Sequence, residues 1–562
     1  MIETASSTPD AAAPTSREAA VSRGVAVLLM TLAAVLFLLH FLHLSADFPN
    51  HSPWVDWSKY TDEGWYGDAA IRHYLTGHWY WKGDFNPAVA LPVWPALELV
   101  WFKFSGVSPS AARALTLVVF GVTLATLYRL IARHTHAHSA ALGPSLAAPL
   151  AVFLLCASPL LYVFERMAIL EPLLIALTAL ALLTASHLHP ATFRRDTPSS
   201  YHLLLTTSYL PSLALAILLP AMVLTKTTAI CLFPAVFYMV WARAGYRVRP
   251  ALRLAVPPAL GGVALWSAYY FLFVRPHYLK DYGYLFSANA YTGIELEPFA
   301  KVILNTLGDG SWMGATLYTT FFVVVALMFF WRPRLLTNPL IPALLLWIGG
   351  YFVFLAYHNN LQPRYYIVVA VPITVVVALG LDGLRHARST VRRALGSALA
   401  AVMALAIAVP DAAQQIGYVL HPTYDFRDAA AAIKQIVLND DRHSHLILSI
   451  SGSDLTLMTG LPSIDDDFGT MELADRVRFY RPGWYVAWNE MDDDKADALT
   501  PLYRIVRVAD FPVYDDADRN LLILYRLDPA PPLEPQQRPK RRTPKPLVTK
   551  LGQQPSVNQL IH

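Results

Sequence analysis

The sequence predicts a polytopic α-helical membrane protein of about 11 transmembrane helices carrying a small C-terminal α/β extracytoplasmic domain. Three observations lead there. The chain has 562 residues, 55% hydrophobic and only 15% charged, with mean hydropathy +0.39, far too apolar for a soluble protein of that length. Apolar runs long enough to cross a hydrocarbon core of about 30 Å recur through the first three quarters. Past about residue 420 the pattern changes to short alternating runs separated by turn residues.

Taken in order, residues 1–24, rich in Ala, Ser, Thr and Pro, read as a disordered cytoplasmic leader. Expected spans are 25–45, 112–131, 145–163, 168–187, 203–222, 227–242, 254–273, 313–331, 340–357, 365–381 and 394–410, within a membrane domain of residues 25–411. The first is longer than a signal h-region and lacks a small-residue cleavage site, so it reads as an uncleaved signal anchor. The first outer loop, 46–111, interleaves Trp54, Trp57, Trp65, Trp79, Trp81, Trp94 and Trp101 with polar residues, a density suited to the membrane interface. Short interfacial helices are expected over 66–80 and 92–104. Beyond the membrane, 412–530 reads as an α/β domain: a helix from Asp425, strands at 446–450, 484–488, 503–508 and 521–525, and a helix capped by Ser453. Residues 531–562, rich in Pro, Gln and basic side chains, read as a disordered tail.

Net charge is +4, and topology accounts for it without any nucleic-acid partner. Arg17 and Arg23, Arg133, Arg194 and Arg195, Arg243 to Arg253, Arg332 and Arg334, and Arg385 to Arg393 fall on one side, which the positive-inside rule makes cytoplasmic. The loop 46–111 and the C-terminal domain then share the outer face of an inner, cell-membrane protein. Cys156 and Cys231 both lie in spans, so thiols supply neither a disulfide framework nor a zinc set.

Four groups on that outer face carry chemistry-bearing side chains. Asp62 and Glu63 follow the first span; being adjacent, they diverge by about 100° on a helix, so one is a candidate base or metal ligand and the other orients a neighbour. Two solvated loop carboxylates are the plainer explanation. Glu165, Arg166 and Glu171 occupy one turn, where a structural Arg166–Glu165 or Arg166–Glu171 pair explains the residues as well as a catalytic role. Lys226 stands alone among threonines, and Arg364 precedes Tyr365 and Tyr366; both suit a phosphate, and both suit snorkelling at a span end. Convergence on one face favours a common site. His134, His136 and His138 read as a solvated loop, and Asp465 to Asp467 and Asp492 to Asp494 as solvated clusters.

In order and spacing, Asp62-Glu63, the Gly106 to Arg113 approach to the second span, Arg166…Glu171-Pro172, Leu224-Thr225-Lys226 and Arg364-Tyr365-Tyr366 resemble the GT-C glycosyltransferases. The resemblance is to the family 39-like branch of protein O-mannosyltransferases and lipid A aminoarabinose transferases. It implies an enzyme moving a sugar from a polyprenyl-phosphate carrier to a protein, lipid or glycan acceptor on the extracytoplasmic face. Asp62 would be the general base and Glu63 its catalytic neighbour. Arg166, Lys226 and Arg364 would hold the lipid phosphate, and Tyr66, Glu171 and Tyr365 would line the substrate site. The Lys-Pro-Pro element of aminoarabinose-type relatives reads Ala90-Leu91-Pro92-Val93-Trp94-Pro95 here, leaving Lys82 as the candidate replacement. No cofactor is required; a divalent metal is compatible with the chemistry, with Glu63 as its ligand. The rival expectation is a lipid or solute transporter or flippase, against which stand the absence of a sequence repeat and charges placed at span ends. A receptor sensing through the C-terminal domain is a third reading.

Overall fold

The computed structural model describes residues 16–47, 62–142, 144–188, 201–288, 298–357, 362–386, 390–449, 452–516 and 519–530. The expected tail, the first part of the leader, Trp54, Trp57, Arg194, Arg195 and the segment 358–361 lie outside them. Helix α1 (Ser16–Leu39) starts inside the expected leader; residues 16–24 contain Glu18, Ala19 and Ala20, good helix formers that simply extend the apolar helix.

Each expected apolar stretch falls on a helix. Among the described residues five helices are long and apolar enough to cross a membrane, at residues 19–39, 109–135, 248–277, 363–385 and 391–438. They correspond to α1, α4 (Pro109–Leu142), α10 (Val248–Tyr269) with its continuation through α11 (Arg275–His277), α16 (Ile367–Arg385) and α17 (Thr390–Leu420) with α18 (Asp425–Leu438). Shorter apolar helices are α5 (Ala147–Ala157), α7 (Leu170–Ser186), the later part of α8 (Tyr201–Thr225), α9 (Phe233–Arg243) and α15 (Leu340–Ala356). The helix before α14 (Ala315–Trp331), α13 (Phe299–Asp309), meets it at a bend of 118°. The expected span 145–163 is broken: α5 ends at Ala157, and α6 (Pro159–Phe164) restarts with Pro159 at its first position and Ser158 accepting from Leu161 N–H. Proline has no N–H to continue the ladder and clashes with the preceding turn. Helix α16 is central, buried continuously from Ile367 to Gly383. His134 lies on α4 rather than in a loop.

In the segment 46–111, expected from the sequence to be the first outer loop, the helices are α2 (Glu63–Thr76) and α3 (Val93–Ser105). Gly77, at φ 79°, ends α2 in the left-handed conformation that glycine adopts without penalty. Neither helix merely floats at an interface. Asp68 to Arg72 of α2 are buried, because the helix is covered by the C-terminal domain on one side and by α3 on the other.

That domain is a five-stranded sheet of order β2-β1-β3-β5-β4. The strands are β1 (Ile447–Leu448), β2 (Ser463–Ile464), β3 (Trp484–Trp488), β4 (Tyr503–Asp516) and β5 (Arg519–Pro529). β1 pairs parallel with β2 and β3, while β5 runs antiparallel between β3 and β4. Trp484, Val486 and Trp488 join one core with Phe426 and Ile433 of α18; Tyr485 and Ala487 join another with Leu448 and Val477. The period of two thus buries both faces of β3. Helices α20 (Leu473–Tyr480) and α21 (Asp493–Leu499) and strand β2 add to what the sequence suggested. The expectation that Asp465 and Asp466 are solvated is overturned: both are buried. Asp465 accepts from the Trp65 indole at 3.2 Å, and Asp466 from the Tyr485 hydroxyl at 2.9 Å, with Lys495 3.0 Å away.

Candidate active site at converging helix ends

The groups singled out from the sequence meet at the starts of helices. Asp62 occupies the position before α2, and Glu63 is its first residue. Arg113 lies near the start of α4, Glu171 in the first turn of α7, and Lys226 before a 3-10 turn (Thr227–Leu232) leading into α9. Arg364 and Tyr365 lie in a 3-10 turn (Pro363–Tyr366) leading into α16. The unpaired N–H groups and positive dipole ends of these helices make one region favourable to anions.

Within it the side chains pair across the chain. Asp62, 4% exposed, is bonded through Oδ2 to Nη1 of Arg364, 5% exposed. Glu63 is gripped by Arg113 with both oxygens, Nε to Oε1 at 2.8 Å and Nη2 to Oε2 at 2.5 Å. Oε1 also accepts from Ala168 N–H at 2.9 Å, tying α2 to the α6–α7 turn. Arg113 donates further to the carbonyls of Leu44 (2.8 Å) and Ala46 (2.5 Å) at the end of the first span. Glu171 pairs with Lys226. The Lys226 ammonium lies 4.1 Å from the Tyr365 ring centroid, and the Arg364 guanidinium carbon 5.2 Å from the same ring. Tyr66, one turn along α2 from Asp62, packs against the same apolar core as Tyr365.

Four sequence groups therefore come together, with pairings different from those expected. Neither Arg166–Glu165 nor Arg166–Glu171 forms. Arg166 donates to the carbonyls of Leu42 (2.7 Å) and His43 (2.8 Å) and stacks on Tyr162 at 4.5 Å. Glu165 is buried with neither oxygen hydrogen-bonded among the described residues. Lys82 is exposed between α2 and α3, its ammonium 5.8 Å from the Phe479 ring and its carbonyl accepting from Tyr480. No described contact joins it to Arg364 or Lys226. Arg113, quoted in the sequence only within a longer motif, emerges as the clamp on Glu63; nothing local in its surroundings marks that partner, 50 positions away.

The environment of Glu63 does not suit a metal. Both oxygens face a guanidinium, whose charge repels a cation, and among the described residues no three His, Cys, Asp or Glu side chains gather as a ligand set. Among the buried polar atoms of the described residues without a hydrogen-bond partner are Nε of Arg364 and Oε2 of Glu171. Behind α2, burial pushes the carboxyls of Glu98 (on α3) and Asp454 well above the usual carboxylate range, and the negative charge of Glu63 adds to each shift.

No family model matches the sequence, and no curated protein matches it at a significant level. Solved structures do match. The structure of ArnT from Cupriavidus metallidurans in the apo state aligns with a TM-score of 0.56 at 14% identity, covering 90% of this chain and 98% of that one. The same protein bound to undecaprenyl phosphate aligns with a TM-score of 0.57 at 14% identity, covering 89% and 98%. An Archaeoglobus fulgidus oligosaccharyltransferase tethered to an acceptor peptide aligns at 0.49 and 13% identity, over 85% and 72%. In fold the chain is like ArnT over nearly the whole length of both proteins.

Proposed function

We propose that the protein is a membrane glycosyltransferase that takes a sugar from a polyprenyl-phosphate carrier and transfers it to an acceptor hydroxyl on the extracytoplasmic face. The observation that carries this reading is the Asp62–Arg364 pair, with Lys226 against the same Tyr365 ring. One carboxylate suited to act as a base and two cations suited to a phosphate lie side by side there, which supports the reading. The solved ArnT structure with undecaprenyl phosphate, on the same fold, makes a lipid phosphate the natural ligand to test.

The reaction accounts for the arrangement. In a sugar phosphodiester the lipid phosphate carries one negative charge; when the anomeric C–O bond breaks it leaves with the electron pair and a second charge. At the same time the acceptor oxygen forms the new bond to the anomeric carbon and gives its proton to Asp62, which loses its charge. Negative charge therefore moves from one side of Arg364 to the other, and a guanidinium between the two can follow it with its fork of donors. Lys226 supplies a compact second charge, screened by Glu171 until a phosphate arrives. Glu63, held at both oxygens, is not free to attack carbon, so a single-displacement, inverting path fits better than a double displacement.

The test is incubation of the purified protein in lipid nanodiscs with a panel of polyprenyl-phosphate sugars and hydroxyl acceptors. Appearance of free polyprenyl phosphate with stoichiometric glycosylated acceptor is the expected result. Intact donor moved across a sealed vesicle without cleavage would instead establish the transporter reading.

A further inference from the structure

We infer that the C-terminal domain is a working part of this site, with Asp454, seconded by Ser453, positioning the helix that presents Asp62 and Glu63. The inference rests on the glycosyltransferase reading for its kinetic readout, though not for its geometry.

A helix start leaves its first N–H groups without partners, and the residue at the cap position ordinarily accepts from one of them. In α2 that residue is Asp62, and its side chain makes no capping hydrogen bond, being engaged with Arg364. The acceptor comes from 390 positions along the chain: Oδ1 of Asp454, on α19 (Gly452–Thr459), takes the Gly64 N–H at 2.8 Å. One turn further along α2, Ser453 donates its hydroxyl to Oδ1 of Asp68. Leu457 of α19 then packs into the same cluster as Ala70, Ile71 and Trp94. The two helices touch so closely that a Cβ at Gly64 would lie 2.2 Å from the backbone nitrogen of Asp454, so only glycine fits there. Capping from another domain releases the Asp62 carboxylate for chemistry while α2 keeps a defined start.

The cap is also suited to its neighbours. Asp454 is 3% exposed, its Oδ2 has no partner among the described residues, and Glu63 lies close enough to resist a second charge. The capping bond uses only Oδ1, an oxygen that an amide side chain also carries. Asn is therefore a close mimic of the native cap, and Ala is not.

Full-length protein in nanodiscs is compared as wild type, Asp454→Ala and Asp454→Asn, reading kcat and donor KM together with amide hydrogen exchange of the peptide containing Gly64. Asp454→Ala is expected to lower kcat about ten- to a hundredfold, since a small displacement of a reacting group costs on that order, with donor KM changed less than about threefold and faster exchange at Gly64. Asp454→Asn is expected to restore both readouts. Should Asp454→Ala fail to fold, Ser453→Ala is expected to show a smaller fall in kcat with the same faster exchange in α2. Unchanged kcat and exchange in Asp454→Ala, or a fall in kcat that Asp454→Asn does not restore, overturns the proposal. If wild type transfers no sugar from any donor, the glycosyltransferase reading falls, while exchange at Gly64 still decides whether Asp454 holds the helix.

Discussion

Replacing Arg364 with alanine tests the pairing at the heart of the site in two ways. Both members of the Asp62–Arg364 pair are almost wholly buried, at 4% and 5% exposure, so Arg364→Ala leaves an uncompensated carboxylate, which costs about 3–5 kcal/mol in buried pairs. Asp62→Asn removes that charge while keeping an acceptor oxygen. The double variant Asp62→Asn/Arg364→Ala is therefore expected to be more stable than Arg364→Ala alone, by at least about 1–2 kcal/mol of coupling. The second consequence concerns ligand. Loss of a charge-assisted hydrogen bond worth about 1.5–3 kcal/mol should weaken a polyprenyl-phosphate donor roughly ten- to a hundredfold, and Arg364→Lys should restore only part, since an ammonium cannot reproduce the fork. Thermal unfolding in detergent and donor affinity in nanodiscs measure the two effects. Additive single and double variants, with donor affinity unchanged, would refute both the pairing and the phosphate role.

Three further outcomes are expected. Lys226→Ala should weaken the donor more than an uncharged acceptor, and Glu171→Gln should tighten it, because Glu171 competes with phosphate for the same ammonium; equilibrium binding of both ligands separates the effects. Glu63→Gln should cut thermal stability more than Asp62→Asn does, because it unbalances the doubly bonded, buried Arg113; equal melting shifts would speak against a clamp. The third concerns pH. Burial raises the Asp68 carboxyl from 3.8 to about 7, against the opposing pull of Arg72 and the Ser453 hydroxyl. A carboxyl whose folded value is raised stabilises the fold fully below pH about 4, and that contribution is lost as pH rises through 7. Thermal stability should therefore fall between about pH 4 and 7, and Asp68→Asn should flatten that slope.

The apolar helices were readable because their signal is local, while the expected count of about eleven spans exceeds the five described helices long and apolar enough to cross a membrane. A run of apolar residues announces a helix wherever it occurs, and one proline, Pro159, accounts for the break that the run conceals. The ionisable residues that border apolar runs were readable too, since a charge beside such a run needs a reason. Their partners were not. Asp62 and Arg364 are 302 positions apart, and Asp454 and Gly64 are 390 apart, distances over which an unaligned sequence carries no pairing signal. The same gap explains the misreading of Asp465 and Asp466: three consecutive aspartates look solvated until Lys495, Tyr485 and Trp65 are brought against them. Strand β2, two residues long, has too few positions to show an alternation.

The most direct measurement is a single-turnover assay with excess protein over radiolabelled polyprenyl-phosphate sugar, comparing wild type with Asp62→Asn at matched donor occupancy. Removing the base without removing the cations should leave donor bound and abolish its conversion to glycosylated acceptor, a fall of at least about a hundredfold in rate. Sugar transfer by Asp62→Asn at the wild-type rate would contradict the account, because the account assigns the acceptor's proton to the carboxylate bonded to Arg364.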